Sequence, residues 1–120
     1  MSAERLPKSE RLRKRREFLE VQGHGAKVSA GSLLALVRRN EIGVTRLGLT
    51  VSNKVGNSVV RNRIRRRLRE LFRKRKGALP AGLDLVLVAR ASAKDADFAR
   101  LARDFEQLTS RLSGQSWGSR

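Results

Sequence analysis

Residues 46–76 read RLGLTVSNKVGNSVVRNRIRRRLRELFRKRK, and the change of period inside this stretch decides the fold. Leu47, Leu49 and Val51 alternate with Gly48, Thr50 and Ser52, the two-residue period of a half-buried strand. From Asn57 onward the period becomes helical. At about 100° per residue, Val60, Ile64, Leu68, Leu71 and Phe72 gather within one third of the circumference. Arg65, Arg69, Asn62, Arg73, Arg66 and Arg63 fill most of the opposite arc, with Arg61 at the border. Such a helix buries one side and aims guanidinium groups outward.

The outward face is the strongest functional signal in the chain. Residues 53–76 hold eleven Lys and Arg against Glu70 alone, more than half of the formal net charge of +17 in one fifth of the 120 residues. A solvated helix face is the usual reason for a run of charge, but such faces interleave both signs to form i, i+4 pairs. Here the signs are not interleaved. Arg also outnumbers Lys, which suits bidentate contact with phosphate and stacking on bases. A polyanionic partner follows, with nucleic acid first and an anionic membrane surface second. No apolar run approaches the roughly 20 residues that span a bilayer, so membrane contact would be peripheral. The N-terminus has no apolar stretch behind its basic residues, which predicts a cytoplasmic protein.

Working outward from the central stretch, the chain reads as one domain in the order α-β-β-α-β-α. Ser9 is expected to cap a first helix running to about Gln22, with Leu12, Phe18, Leu19 and Val21 as its apolar contacts and Gly23 or Gly25 as its end. Leu33–Val37 reads as a strand joined through Asn40 and Gly43 to Leu47–Val51, an antiparallel pair. A third strand carries Leu83, Leu85, Leu87 and Ala89 on one face and Val86 and Val88 on the other, which suits a central position. Phe98, Leu101, Phe105, Leu108 and Leu112 recur at helical spacing, with Asp95 as the expected N-cap. Residues 1–8 and 113–120 are expected to be flexible.

The stretch Arg46 to Glu70 resembles the signature region of the bacterial ribonuclease P protein family, in which an Arg-Asn-Arg helix follows a Gly-Leu-x-Val-Ser strand. The hallmark is Arg61, Asn62 and Arg63. The resemblance implies an α/β sandwich with a left-handed β-α-β crossover through the arginine helix, although such connections are right-handed in about 98% of proteins. It implies that Lys54, Asn57, Arg61, Asn62, Arg63, Arg65, Arg66 and Arg69 meet the catalytic RNA subunit. Arg11, Phe18 and Arg46 are implied near a cleft that holds the 5′ leader of precursor tRNA. Family members commonly carry further aromatics where this chain has Gln22 and, in the first strand, Ala35, so fewer bases can be stacked here. Phe18 itself has two open readings, a stacking platform or a core residue.

Nothing in the sequence assembles a catalyst of phosphodiester hydrolysis. There is no cysteine, and His24 is the only histidine, with no acid or base beside it. Asp95, Asp97, Asp104 and Glu106 read as capping or solubilising residues of the last helix, and Asp84 as isolated in a strand. No metal ligands and no cofactor are assigned to the protein. The resemblance implies that magnesium ions and the chemistry belong to the RNA subunit, with the protein neutralising phosphates and gripping the leader. A structural RNA binder such as a small ribosomal protein fits the composition equally well, and the ordered motif from Leu47 to Arg69 argues against it. A helix-turn-helix DNA binder would need a helix, not a strand, before the arginine helix.

Overall fold

The computed structural model describes residues 8–114, with the side chain of His24 left aside. A mixed sheet of four strands, β1 (Ala26–Ala30), β2 (Leu33–Arg39), β3 (Arg46–Val51) and β4 (Leu83–Ala89), runs in the order β1-β2-β4-β3. Helix α1 (Arg15–His24) covers one face. Helices α2 (Ser58–Arg75) and α3 (Phe98–Ser113) cover the other. The larger core lies on that second face, where Ile64, Leu68 and Phe72 of α2 and Leu101, Phe105 and Leu108 of α3 meet Leu83, Leu85 and Leu87 of β4. A smaller core on the α1 face joins Leu12 and Val21 to Leu36 and Val86.

The central position of β4 agrees with its two apolar faces. It pairs antiparallel with β2 and parallel with β3. The expected antiparallel neighbours, Leu33–Val37 and Leu47–Val51, are therefore separated by β4, which corrects the hairpin reading. The cause lies in the connection. Asn40 donates from Nδ2 to Val44 O at 2.9 Å and to Asp84 Oδ1 at 2.8 Å, while its Oδ1 accepts from the N–H groups of Ile42 and Gly43. These bonds anchor the connection to the start of β4 and leave a gap that β4 fills. Strand β1 also adds an element, giving α-β-β-β-α-β-α. Its Ala, Lys and Ser content hid a real alternation, with Val28 and Ala30 buried and Lys27 exposed.

The hand of the β3-α2-β4 connection follows from hydrogen bonding. Arg90 N–H donates to Ser32 O and Asn40 N–H to Gly82 O, so even-numbered residues along β4 aim their peptide groups at β2. Leu83, Leu85 and Leu87 consequently aim theirs at β3, while their side chains face α2. For L-residues, a strand seen running upward with the side chain toward the viewer points that residue's N–H and C=O to the right. Seen from α2, β3 thus lies to the right of β4, and the chain moves leftward as it crosses. The crossover is left-handed, the rare case.

The first helix begins at Arg15, not after Ser9. Lys8–Glu10 form a 3-10 turn and the next residues run extended along the outer edge of β3, where Leu12 N–H donates to Leu47 O at 2.8 Å. An unpaired strand edge outbids a helical turn here because it supplies backbone partners and buries Leu12 together. Glu17 then accepts from the N–H groups of Arg13 and Lys14 and fixes the helix start. Of the expected α1 contacts, Val21 is fully buried and Leu19 is exposed. The helix runs past Gln22 to His24 and stops at Gly25, whose missing Cβ would meet Val21 O at 2.4 Å. Helix α3 is capped by Asp97, which accepts from Arg100 N–H at 2.8 Å, and Asp95 falls in the preceding 3-10 turn. The expected flexible ends lie outside the described residues except for Lys8, Ser113 and Gly114.

Candidate RNA interface

Helix α2 starts where the sequence's chemistry requires. Asn57 accepts from Val60 N–H at 3.0 Å, so its side chain caps the helix, and Ser52 caps the short turn before it by accepting from Lys54 N–H. Gly56 between them has φ 152°, and an added Cβ would meet Val60 at 3.0 Å. Burial of Ile64, Leu68, Leu71 and Phe72 then fixes which way the arginines point. Arg61 Nε donates to Gly56 O at 3.1 Å, and Arg65 donates to Asn62 Oδ1 at 3.0 Å and to Val51 O at 3.4 Å. These bonds orient guanidinium groups without neutralising them. Among the described residues no carboxylate ion-pairs with Arg61, Arg63, Arg65, Arg66 or Arg69.

The flank of α2 that turns toward β3 forms one wall of a groove of about 130 Å³, lined by Arg11, Leu12, Phe18, Leu47, Gly48, Leu49, Arg65 and Arg69. The groove exists because Arg11 and Leu12 run along the β3 edge and Phe18 lies over Gly48. A Cβ on Gly48 would meet the Phe18 ring at 2.7 Å. Three arginines line this space and no acid does. Arg11 Nε is buried without a hydrogen-bond partner. Burial holds the basicity of Arg69 below the usual arginine range, and the nearby charges of Arg11 and Arg65 act in the same direction. Phe18 is half-buried against the smaller core with its ring at the groove wall.

Arg46 sits differently from the other two residues assigned to the leader. It is the register partner of Asp84 on the α1 face of the sheet and forms a two-pronged pair with it, both N···O distances 2.9 Å, while donating to Glu17 Oε2 at 3.0 Å. The hydrogen bonds that Arg46 donates to Asp84 raise its basicity against the opposing effect of burial. Glu17 is partly buried, which would raise its pKa, but the Lys14 and Arg13 N–H groups and Arg46 outweigh this and hold it low. Asp84 is therefore not isolated. It clamps β3 and β4 to α1 through Arg46. Gln22 is exposed on α1. Ala35 is fully buried on the α2/α3 face, so that position cannot line the α1 side; Leu34 and Leu36 of β2 face that way instead.

Sequence reasoning missed the second buried carboxylate. Asp104 accepts from Ser32 N–H at 2.9 Å and Ser32 Oγ at 2.6 Å, pinning α3 to the β1–β2 turn over Gly31, whose φ is 56°. Its place in the apolar stripe of α3, next to Phe105, was the only sign of burial. It also missed that Arg65 and Arg69 belong to the groove as well as to the open helix face. Lys54, Asn57, Asn62 and Arg66 are exposed, and Arg63 is half-buried on the α3 side of α2. Among the described residues no group of three or more His, Cys, Asp and Glu could hold a metal ion, and no helix is long and apolar enough to cross a membrane.

An α/β sandwich that offers an unbalanced cationic helix face beside a basic groove with an aromatic wall has the features of a nucleic-acid-binding protein. The family model described as Ribonuclease P matches residues 6–113. A ribonuclease P protein component from Gluconacetobacter diazotrophicus is 45% identical over 109 residues, covering 89% of this chain and 93% of its own. One from Syntrophus aciditrophicus is 38% identical over 106 residues, covering 88% and 89%. The solved RNase P protein of Staphylococcus aureus superposes with a TM-score of 0.81 at 32% identity, covering 87% of this chain and 95% of its own. That of Thermotoga maritima gives 0.79 at 34%, covering 86% and 97%. The chain belongs to the ribonuclease P protein family. It is accordingly a subunit of the tRNA-processing endoribonuclease in which the catalytic role lies with the RNA, and its partner is the RNase P RNA. The reading as an unrelated structural RNA binder is not favoured.

Proposed function

We propose that the open face of α2 docks on the RNA subunit and that the groove between α1, the β3 edge and α2 holds the 5′ leader of precursor tRNA, in the cytoplasm. The observation that supports this division is the placement of Arg11, Phe18, Arg65 and Arg69 around one acid-free groove. A phosphodiester backbone supplies the anion that these guanidinium groups lack, and the Phe18 ring offers one base a stacking surface. Lys54, Asn57, Arg61, Asn62, Arg63 and Arg66 meet the RNA subunit, and Arg65 and Arg69, which belong to the open face as well as to the groove, meet it too. Arg46 serves the groove indirectly, by holding Glu17 and with it the start of α1. Magnesium belongs with the RNA subunit, for the buried carboxylates among the described residues, Asp84 and Asp104, are already committed to Arg46, Asn40 and Ser32.

The test is cleavage of precursor tRNA at low magnesium by the RNase P RNA of the same organism, with and without this protein. Substrates carrying a single-nucleotide leader and a long leader are compared. The protein should stimulate both and favour the long leader, and Arg11→Ala or Phe18→Leu should reduce that preference while leaving binding to the RNA subunit intact. Equal stimulation of both substrates would contradict leader binding in the groove.

A further inference from the structure

The two flanks of α2 carry the same pairing of arginine with aromatic. Arg65 and Arg69 lie on the β3 flank beside Phe18. On the opposite flank Arg67 holds its guanidinium 5.7 Å from the centroid of the Phe98 ring, and Arg63 stands one turn before Arg67 on the same line of the helix. Phe98 opens the apolar stripe of α3, yet it is 37% exposed where the next four members, Leu101, Phe105, Leu108 and Leu112, are at most 1% exposed. Its burial is therefore incomplete for a core residue. Neither Arg63 nor Arg67 ion-pairs with a carboxylate among the described residues. Val59, 71% exposed, lies one turn before Arg63 and extends the patch along α2.

The geometry points to Phe98, with Arg63 and Arg67, as a second stacking site that takes one unpaired base of the RNA subunit. This inference rests on the reading of α2 as the docking face for that RNA. An aromatic ring with a guanidinium already beside it is a preformed platform, and the part of Phe98 left exposed is where a base can stack. The surrounding charges set the orientation of the nucleotide. Asp97 adjoins Phe98 and its Oδ1 is engaged by the α3 N-terminus, so phosphate is repelled from the α3 side and directed to Arg63 and Arg67. The base then lies over Phe98 with its backbone along α2. This places RNA on both flanks of α2, and it gives Arg63 and Arg67 a role separate from that of the groove.

The experiment is a binding titration of the full-length protein with the RNase P RNA of the same organism, repeated across salt concentrations. Phe98→Leu keeps apolar cover and loses the π face. It should weaken binding about tenfold with an unchanged log–log salt slope, since stacking releases no counterion. Arg63→Ala should lower the slope by about 0.7 to 0.9. In a Trp117→Phe background, Phe98→Trp provides the only indole, and its fluorescence should be quenched when the RNA is added. That arm decides the matter should Phe98→Leu fail to fold. Parental affinity for Phe98→Leu, or unquenched fluorescence in bound Phe98→Trp, would overturn the stacking site while leaving the docking face in place. Failure of the parent protein to bind the RNA would overturn both.

Discussion

Both ends of α2 are rich in cations and differ in what those cations meet. At the end of the helix, Lys74 pairs with Glu70, Arg75 with Glu106 of α3, and Lys76, just beyond, with Glu10. From Arg61 to Arg69 the arginines find peptide carbonyls, Asn62, the Phe98 ring and one another. Charge that pairs within the molecule fastens α2 to its neighbours. Charge that does not pair destabilises the isolated protein by self-repulsion and is offset only when a polyanion arrives. The proposed RNA-binding surface is thus marked less by where positive charge lies than by where negative charge is withheld.

The largest expected effect comes from reversing the unpaired end. Arg65→Glu with Arg69→Glu should weaken binding of the RNA subunit by about two orders of magnitude or more at physiological salt, because two phosphate contacts become repulsions. Loss of less than a few-fold would break the contrast between the ends. Next in size is the clamp. Asp84→Ala removes the two-pronged partner of the largely buried Arg46, leaves it only its bond to Glu17, and should cost about 3 kcal/mol in denaturant unfolding. If the clamp is purely structural, the salt slope of RNA binding in this variant stays that of the parent.

The pH dependence of stability is smaller. Asp104 is buried, which by itself would raise its pKa, yet the hydrogen bonds from Ser32 and the charge of Arg100 hold it below its ordinary value; Glu17 is held low as well. For a carboxylate with a lowered native pKa, the stabilisation is complete above the unfolded value, 3.8 for Asp104 and 4.5 for Glu17, and is lost as pH falls through the native value. Thermal melts should therefore show Tm falling below about pH 4.5, and Asp104→Asn should lower stability at pH 7 by roughly 1 to 3 kcal/mol and flatten that acid limb. An acid limb of the parent's steepness in Asp104→Asn would remove Asp104 from the account. The smallest effect is the release of the paired end: Glu106→Gln should change stability by no more than about 1 kcal/mol, since its pair with Arg75 is exposed.

What was legible in the sequence was whatever repeats. The buried and open faces of α2, the central place of β4 and the apolar stripe of α3 all follow from periodicity in single segments. Pairing between segments was less legible. The insertion of β4 between β2 and β3 depends on Asn40 and its bonds across a loop, and the late start of α1 depends on an edge of β3 that takes up Leu12. The hand of the crossover contradicts the general preference, and only the family resemblance pointed to it. At the site, residue types grouped the arginines as one surface, whereas their contacts divide them between groove, open face and the Phe98 ring. The resemblance placed Arg46 beside the leader, whereas its charge is spent on Asp84 and Glu17.

The central claim, that the unpaired stretch of α2 is the one that meets RNA, is tested most directly by the salt dependence of binding to the RNase P RNA for two matched variants. Arg61→Ala with Arg65→Ala removes two unpaired cations, and Lys74→Ala with Arg75→Ala removes two paired ones. The first should flatten the log–log slope by roughly 1.4 to 1.8, and the second should leave it within experimental error of the parent. Equal flattening by both variants, or flattening by the second alone, would contradict the account.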